Sequence, residues 1–144
     1  AAIKPGALFS EINKACQAVL AKGLADMGVL TVSAEESLKP EVGLHRRWTL
    51  HGVSHHLGLD VHDCAQARKE QYLDAPLREG MVLTVEPGLY IQPDDELFAP
   101  EYRGIGIRIE DDVVVTADGC RNISENIPRH PDEIEKWMKS VLGR

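Results

Sequence analysis

Residues 48–63 concentrate side chains that can bind a metal ion or transfer a proton. They include four of the six histidines of the chain, namely His51, His55, His56 and His62. A neutral imidazole binds divalent first-row metals, and its pKa lies close to physiological pH. Because a single histidine is more often structural, the stretch gains significance from the carboxylates that could meet it.

Two glutamates stand at the ends of apolar, β-branched runs later in the chain. Glu86 follows the run at residues 81–85, and Glu110 follows the run at residues 105–109. A carboxylate buried without a partner is costly, so a metal ion is its natural counterpart at such a position. One imidazole and two carboxylates form a ligand set for a divalent metal, and the sequence therefore predicts a metal site.

Predicted helices precede this stretch. Apolar residues spaced three to four apart predict an amphipathic helix over residues 8–24, with Ser10 or Gly6 as its N-cap. Its predicted buried stripe consists of Leu8, Ile12, Ala15, Val19 and Leu20. Ser33 is expected to cap a short second helix that Pro40 ends.

Predicted strands carry the two carboxylates. Residues 81–85 form a near-continuous apolar run, which is typical of a strand buried on both faces. Residues 105–109 place isoleucine at every second position, which predicts a strand with isoleucine on one face and Gly106 and Arg108 on the other. Arg108 stands two positions before Glu110, so both side chains are expected on the same face of the strand.

The end of the chain completes an α+β pattern. Residues 111–112 are expected to form a turn or bulge before a strand at residues 113–115. That strand is expected to turn back through a hairpin at residues 117–119. Pro131 then opens a final helix with acidic residues in its first turn, where the helix dipole favours them.

Composition limits the partners and the compartment. The chain has 144 residues, 43% of them hydrophobic and 27% charged, an ordinary mixture for a globular domain. A formal net charge of −7 argues against nucleic acid as a partner. No apolar run approaches the roughly 20 residues that span a bilayer, so no membrane partner is expected. Three widely spaced cysteines, an odd number, predict reduced thiols in the cytoplasm.

Three motifs, in order, resemble those of one known family. They read H-G-x-x-H-x-x-G-L-x-V-H-D at residues 51–63, V-E-P-G-x-Y at residues 85–90 and G-x-R-I-E-D-D at residues 106–112. The set is similar to the metal-binding half of the pita-bread metallopeptidases, and most of all to the aminopeptidase P family. The resemblance implies a pita-bread α+β fold with a curved, mainly antiparallel sheet inside and helices outside. Residues 1–144 would form the C-terminal part of that catalytic domain, without its upstream half.

The same resemblance implies a reaction and its cofactors. The expected reaction is hydrolysis of the N-terminal bond of a peptide substrate whose second residue is proline. Two divalent metal ions would activate the attacking water, with Mn²⁺ as the first expectation and Zn²⁺ or Co²⁺ as alternatives. The implied metal ligands are His55, Glu86 and Glu110.

Roles in catalysis and substrate binding follow from the resemblance too. His51 and His62 are expected to line the substrate cleft, and Glu86 to take the proton of the attacking water. The arginine of the third motif, Arg108, would neutralise the carboxylates. Tyr90 lines the cleft or packs in the core. Two further residues lie in or near the motif. His56 is expected to point away from the metal ligands, and Cys64 is expected to pack against neighbouring side chains.

One departure from the family pattern leaves alternatives open. The family's site also needs two aspartates from strands upstream of the histidine motif, and Asp26 is the one aspartate that precedes His51. Either the full-length protein supplies the pair and these residues are a part of it that would be inactive alone, or the full-length protein lacks the pair. In either case a homo-oligomer is expected for the full-length protein. The alternatives are a prolidase, which cleaves Xaa-Pro dipeptides, and a pita-bread binding module without catalysis.

Overall fold

The structure is a computed structural model, and it describes residues 2–143. The described residues form three α-helices, α1 (Ser10–Asp26), α2 (Ala34–Ser37) and α3 (Pro131–Leu142). The strands are β1 (His56–Leu57), β2 (Val82–Val85), β3 (Gly88–Tyr90), β4 (Gly106–Arg108), β5 (Asp111–Val115) and β6 (Cys120–Asn122). Among these residues, no helix has the length and apolar character that crossing a membrane requires.

Two antiparallel sheets organise the chain. The larger has the strand order β1-β2-β5-β6, and the smaller pairs β3 with β4. Strand β2 lies inside the larger sheet, with Leu83 and Thr84 almost completely buried, as its apolar sequence predicts. Its register sets Val85 opposite Asp111, so the residues that follow β2 lie beside the start of β5. These antiparallel sheets and the helices confirm the α+β class.

The buried face of helix α1 includes Ile12, as predicted, but otherwise differs from the predicted stripe. Ile12 and Leu24 are buried, whereas Val19 is 73% exposed and Ala15 is also exposed. The reason is a buried polar contact that hydrophobic periodicity cannot reveal. Gln17 turns inward because its side-chain oxygen accepts a hydrogen bond from the Thr49 hydroxyl at 3.0 Å.

The start of α1 also differs from the prediction. Neither Ser10 nor Gly6 caps the helix, whose N-cap is Phe9 without a side-chain hydrogen bond. Backbone contacts replace the cap, because the Phe9 amide donates to the Ala75 carbonyl at 3.0 Å. In α2 the prediction is correct, since the Ser33 hydroxyl accepts from the Glu36 amide at 3.1 Å.

The strands after Glu86 also differ in detail. Asp111 and Asp112 belong to β5 and form neither a turn nor a bulge, because they pair with Val85 and Thr84. Strand β4 is short, and its isoleucine face is exposed, with Ile107 at 59%. Both the hairpin between β5 and β6 and the start of α3 at Pro131 agree with the prediction.

A buried carboxylate links two distant segments of the chain. Asp95 is 1% exposed and accepts hydrogen bonds from Trp48 Nε1 at 2.7 Å and Arg47 Nε at 3.0 Å. Trp48 itself packs against Phe98, Leu24 and Ile91 in an apolar cluster. The hydrogen bond from Arg47 holds the pKa of Asp95 below its usual range. The contact fixes the chain at the start of the histidine-rich stretch.

Replacing Asp95 by asparagine should weaken the fold in a pH-dependent way. At pH 7 we expect Asp95→Asn to lower the free energy of unfolding by about 1–3 kcal/mol, because a buried acceptor loses its charge-assisted hydrogen bonds. A lowered folded-state pKa stabilises the fold above the unfolded value of about 3.9 and ceases to do so as the pH falls through the folded value. The difference between variant and wild type should therefore shrink below about pH 4. Urea unfolding at several pH values measures this difference in the free energy of unfolding.

The matched control is Asp26→Asn. Asp26 pairs with Lys22 on the surface, and its side chain is 64% exposed. Exposed pairs contribute little, so we expect a change below about 0.5 kcal/mol at any pH. Equal effects of the two substitutions would contradict a special role for Asp95.

Candidate metal centre

Three of the predicted site residues converge. His55, Glu86 and Glu110 offer ligand atoms that all lie within 4.8 Å of one another. His55 Nε2 is 3.3 Å from Glu86 Oε1. Glu86 is 9% exposed, so its carboxylate lies in a largely desolvated position. The resemblance of the three motifs implied this ligand set, and the strand pairing brings the three residues together.

Local structure explains why each ligand atom reaches the same point. His55 immediately precedes β1 and Glu86 immediately follows β2, and these two strands are antiparallel neighbours. The Glu86 amide donates to the Val53 carbonyl at 2.7 Å, which extends the contact between the two segments beyond the strands. Pro87 follows, and since proline lacks an amide hydrogen, it stops the pairing of β2 there.

Glu110 lies where the chain leaves the smaller sheet and enters the larger one. The next residue, Asp111, anchors this crossing, because its Oδ1 accepts from Arg129 Nη2 at 2.6 Å and from the Ser124 hydroxyl at 2.7 Å. Burial alone would raise the pKa of Asp111, but the hydrogen bonds from Arg129 and Ser124 outweigh it and the pKa is lowered. The charged anchor holds the backbone beside Glu110.

The charges and donor types of the cluster suit a divalent cation. Arg108 approaches both carboxylates, with Nη1 3.7 Å from Glu86 Oε2 and Nε 3.9 Å from Glu110 Oε2. These separations are too long for strong hydrogen bonds. One half-exposed guanidinium against two carboxylates leaves an excess of negative charge. Imidazole nitrogen and carboxylate oxygen are ligands of Zn²⁺ and Mn²⁺, so the residues fit such an ion.

His51 is held in one tautomer by its neighbours. Its Nδ1 lies 2.7 Å from the Gly52 carbonyl oxygen, and its Nε2 lies 2.7 Å from the Tyr90 hydroxyl. A carbonyl oxygen only accepts, so Nδ1 carries the hydrogen of the neutral ring and Nε2 accepts from Tyr90. Tyr90 therefore contacts the histidine motif through its hydroxyl, and its role in lining a substrate cleft stays a prediction.

Two glycines make room for Tyr90. A Cβ at Gly88 would lie 2.5 Å from the Tyr90 hydroxyl oxygen, and a Cβ at Gly106 would lie 2.9 Å from its ring. Gly106 is directly opposite Tyr90 across the β3–β4 pair, and Gly88 is two residues before it on the same face. The ring thus occupies the space that two side chains would otherwise fill.

The two other histidines of the motif, His62 and His56, point in different directions relative to the metal-ligand cluster. The exposed His62 ring lies 4.4 Å from the His55 ring, centroid to centroid, and nearly perpendicular to it. His56 points away from the cluster, stacked on Phe9 at 4.8 Å, and burial lowers its pKa. The prediction that Cys64 packs is wrong, because its side chain is exposed and its thiol contacts the Asp63 carboxylate.

Thr84 is a site residue that the sequence analysis did not identify. It is 1% exposed, its hydroxyl accepts from the His55 amide at 3.0 Å, and it donates to Glu86 Oε1 at 3.3 Å. A hydroxyl within an otherwise apolar run, two residues before a glutamate, was the available signal. The hydrophobic pattern of residues 81–85 does not distinguish Thr84 from its apolar neighbours, so it gives no indication of the hydroxyl's contacts.

Comparison with known proteins agrees with the geometry. The sequence profile of metallopeptidase family M24 matches residues 1–117, and the chain belongs to this family. Xaa-Pro aminopeptidase 1 of Streptomyces coelicolor is 56% identical over 143 residues, which are 99% of this chain and 29% of that protein. The chain therefore spans about three-tenths of the length of such relatives.

Solved structures confirm the pita-bread fold. Aminopeptidase PepP of Pseudomonas aeruginosa superposes with a TM-score of 0.88 and 38% identity, over 99% of this chain and 32% of that one. Aminopeptidase P of Escherichia coli with the inhibitor Pro-Leu gives a TM-score of 0.86 and 41% identity, over 99% of this chain and 31% of that one. At these identities the similarity covers sequence as well as fold.

Adding a methyl group at Gly88 should displace Tyr90. We expect Gly88→Ala to lower the free energy of unfolding by about 1–3 kcal/mol, because overpacking forces neighbouring side chains out of position. The Tyr90 hydroxyl should also leave hydrogen-bonding distance of His51. Urea unfolding measures the first effect, and a crystal structure of the variant measures the second.

Gly119→Ala is the control for this substitution. A Cβ at Gly119 meets no atom within 4 Å, and the backbone there has no positive φ. The substitution should be neutral or slightly stabilising, because alanine restricts the unfolded chain. A Gly88→Ala variant as stable as Gly119→Ala, with Tyr90 still bonded to His51, would show that the glycine is dispensable.

Proposed function

We propose that the protein containing this chain is a metal-dependent aminopeptidase that hydrolyses the N-terminal Xaa-Pro bond of peptides. The observation that carries the proposal is the convergence of His55, Glu86 and Glu110 within 4.8 Å in a chain of metallopeptidase family M24. Relatives named Xaa-Pro aminopeptidase, from Streptomyces and Escherichia coli among others, support the substrate class.

His55, Glu86 and Glu110 would hold a divalent ion, and a complete centre would hold two, with manganese as the proposed metal. Bound there, the metal would lower the pKa of a water molecule and polarise the scissile carbonyl. In residues 2–143 this trio is the one group of three or more His, Cys, Asp or Glu side chains close enough to share an ion. Asp26 pairs with Lys22 at the far end of α1, so the two further aspartates would come from outside these residues.

The remaining polar residues would handle protons and the peptide. Glu86, whose Oε1 lies 3.3 Å from His55 Nε2, would take the proton of the attacking water. His51, fixed as its Nδ1–H tautomer, and the exposed His62 would contact the peptide carbonyl and steady its developing charge. Arg108 would offset part of the negative charge of the two carboxylates.

Chain length of the substrate distinguishes the main alternative. A prolidase would cleave dipeptides, whereas an aminopeptidase would accept longer peptides. Retention of His55, Glu86 and Glu110 in one cluster speaks against a binding module that has lost its metals. We further propose a cytoplasmic location, which the free thiols of Cys16, Cys64 and Cys120 support, and a homo-oligomer.

The full-length protein with added Mn²⁺ should cleave a tetrapeptide with proline second. We expect release of the first residue alone, no cleavage when alanine replaces that proline, and little activity on an Xaa-Pro dipeptide. Chelation of the metal should abolish the activity, because the water would lose its activating ion. Mass spectrometry of the products gives the cleaved bond. Preference for the dipeptide would favour prolidase, and no hydrolysis of any of them would contradict the proposal.

Adjacent histidines provide a matched pair of variants for the metal ligand. His55→Ala should lower the metal content and reduce kcat roughly 100-fold or more, since it removes a group at the reacting centre. His56→Ala should retain metal and activity and lose only about 0.5–1.5 kcal/mol of stability, because it removes the stacking on Phe9. Metal analysis and steady-state kinetics measure both.

The reverse result would overturn the assignment. If His56→Ala loses metal while His55→Ala keeps it, the register of residues 51–63 is wrong. The roles proposed for His51 and His62 would then fail with it.

A further inference from the structure

A single buried hydroxyl joins two of the proposed metal ligands. The Thr84 hydroxyl oxygen lies 3.0 Å from the backbone nitrogen of His55 and 3.3 Å from Glu86 Oε1. The same carboxylate oxygen lies 3.3 Å from His55 Nε2. Thr84 is 1% exposed, so water does not compete for these contacts.

The hydrogen on this hydroxyl has only one direction available to it. The His55 amide can only donate, so Thr84 accepts there through a lone pair. The single hydrogen of the hydroxyl is therefore available for Glu86 Oε1. An oxygen of an ionised carboxylate has no hydrogen to donate and acts only as an acceptor. The contact therefore fixes the carboxylate with Oε1 towards His55 and Oε2 towards Arg108, which lies 3.7 Å from Oε2.

The backbone around Thr84 is fixed as well. Its amide donates to the His55 carbonyl at 3.0 Å, and on the other side Thr84 pairs with Asp112 of β5. A β-branched side chain has restricted rotation about χ1, which keeps the hydroxyl aimed at its partners. Threonine thus combines a stiff attachment with one donor and one acceptor contact.

We propose that Thr84 is a positioning residue of the metal centre, which orients the Glu86 carboxylate and holds the backbone of His55 at the separation that an ion needs. The inference rests on the proposed function, since it takes His55 and Glu86 as ligands. Without the hydroxyl, Glu86 Oε1 would be free to rotate away from His55, and the His55 amide would lose its partner. The ion would then have to order both ligands on binding.

Thr84→Val and Thr84→Ser separate the hydroxyl from the methyl group. Valine keeps the shape and loses the hydroxyl, whereas serine keeps the hydroxyl and loses the methyl. In the full-length protein, Thr84→Val should weaken Mn²⁺ binding about 10–100-fold, the usual effect of losing a residue that orients a ligand. Thr84→Ser should stay close to wild type. Calorimetric titration of the metal-free protein with Mn²⁺ measures the affinity, and urea unfolding of the same samples measures stability.

Thr49→Val is the matched control. Thr49 is also a buried threonine whose hydroxyl has two partners, Gln17 Oε1 at 3.0 Å and the His45 carbonyl at 3.4 Å. Its loss should reduce stability and leave the Mn²⁺ affinity unchanged. If a loss of stability were enough to lower the Mn²⁺ affinity, Thr49→Val would lower it too.

The inference fails if Thr84→Val binds Mn²⁺ as tightly as wild type, or if Thr84→Ser binds as weakly as Thr84→Val. If Thr84→Val does not fold, Thr84→Ser decides alone, and a large loss of affinity in it overturns the inference. A wild-type protein that binds Mn²⁺ through His55 but cleaves no Xaa-Pro peptide would refute the proposed function and leave the role of Thr84 intact. Binding of Mn²⁺ that does not depend on His55 would refute both.

Discussion

The antiparallel pairing of β2 with β1 and β5 is the constraint on which the whole centre depends. It brings the residue before β1, the residue after β2 and the residue before β5 to one edge of the sheet. A slip of one residue in either register would turn a ligand side chain to the opposite face. The buried side chain of Leu83 and the Val113 and Val115 side chains of the same core oppose such a slip, because they would lose their apolar contacts.

Charge is distributed around this edge in two separate arrangements. Arg129 satisfies Asp111 at short distance, which makes that pair a structural anchor. Arg108 stays farther from Glu86 and Glu110, so their carboxylates keep the capacity to bind something else. Neighbouring acidic residues in one motif thus have different tasks, and the distance to the nearest guanidinium distinguishes them.

Features that depend on residues close together in the sequence could be predicted from it. The apolar run of β2 is visible in a short window, and the strand was predicted from it. The ligand set of His55, Glu86 and Glu110 was implied by three short motifs that resemble those of a known family. The buried position of Gln17 in α1 was not predicted, because its hydrogen-bond partner Thr49 is far along the chain. The buried contacts of Asp95 likewise depend on Trp48, and the strand character of Asp111 depends on its pairing with Val85. No local pattern in the sequence connects these residues.

The pairing of His56 with Leu83 has a consequence for the order of folding. Residues 58–81 connect β1 to β2, and this segment must form a closed loop before the two strands can pair. Closing the loop costs conformational entropy before the strand contacts can offset it. A partly folded chain therefore lacks the centre, and an ion would bind only once the sheet is complete. Such binding stabilises the native state but not the earlier transition state, so the ion is expected to slow unfolding and to leave the folding rate almost unchanged.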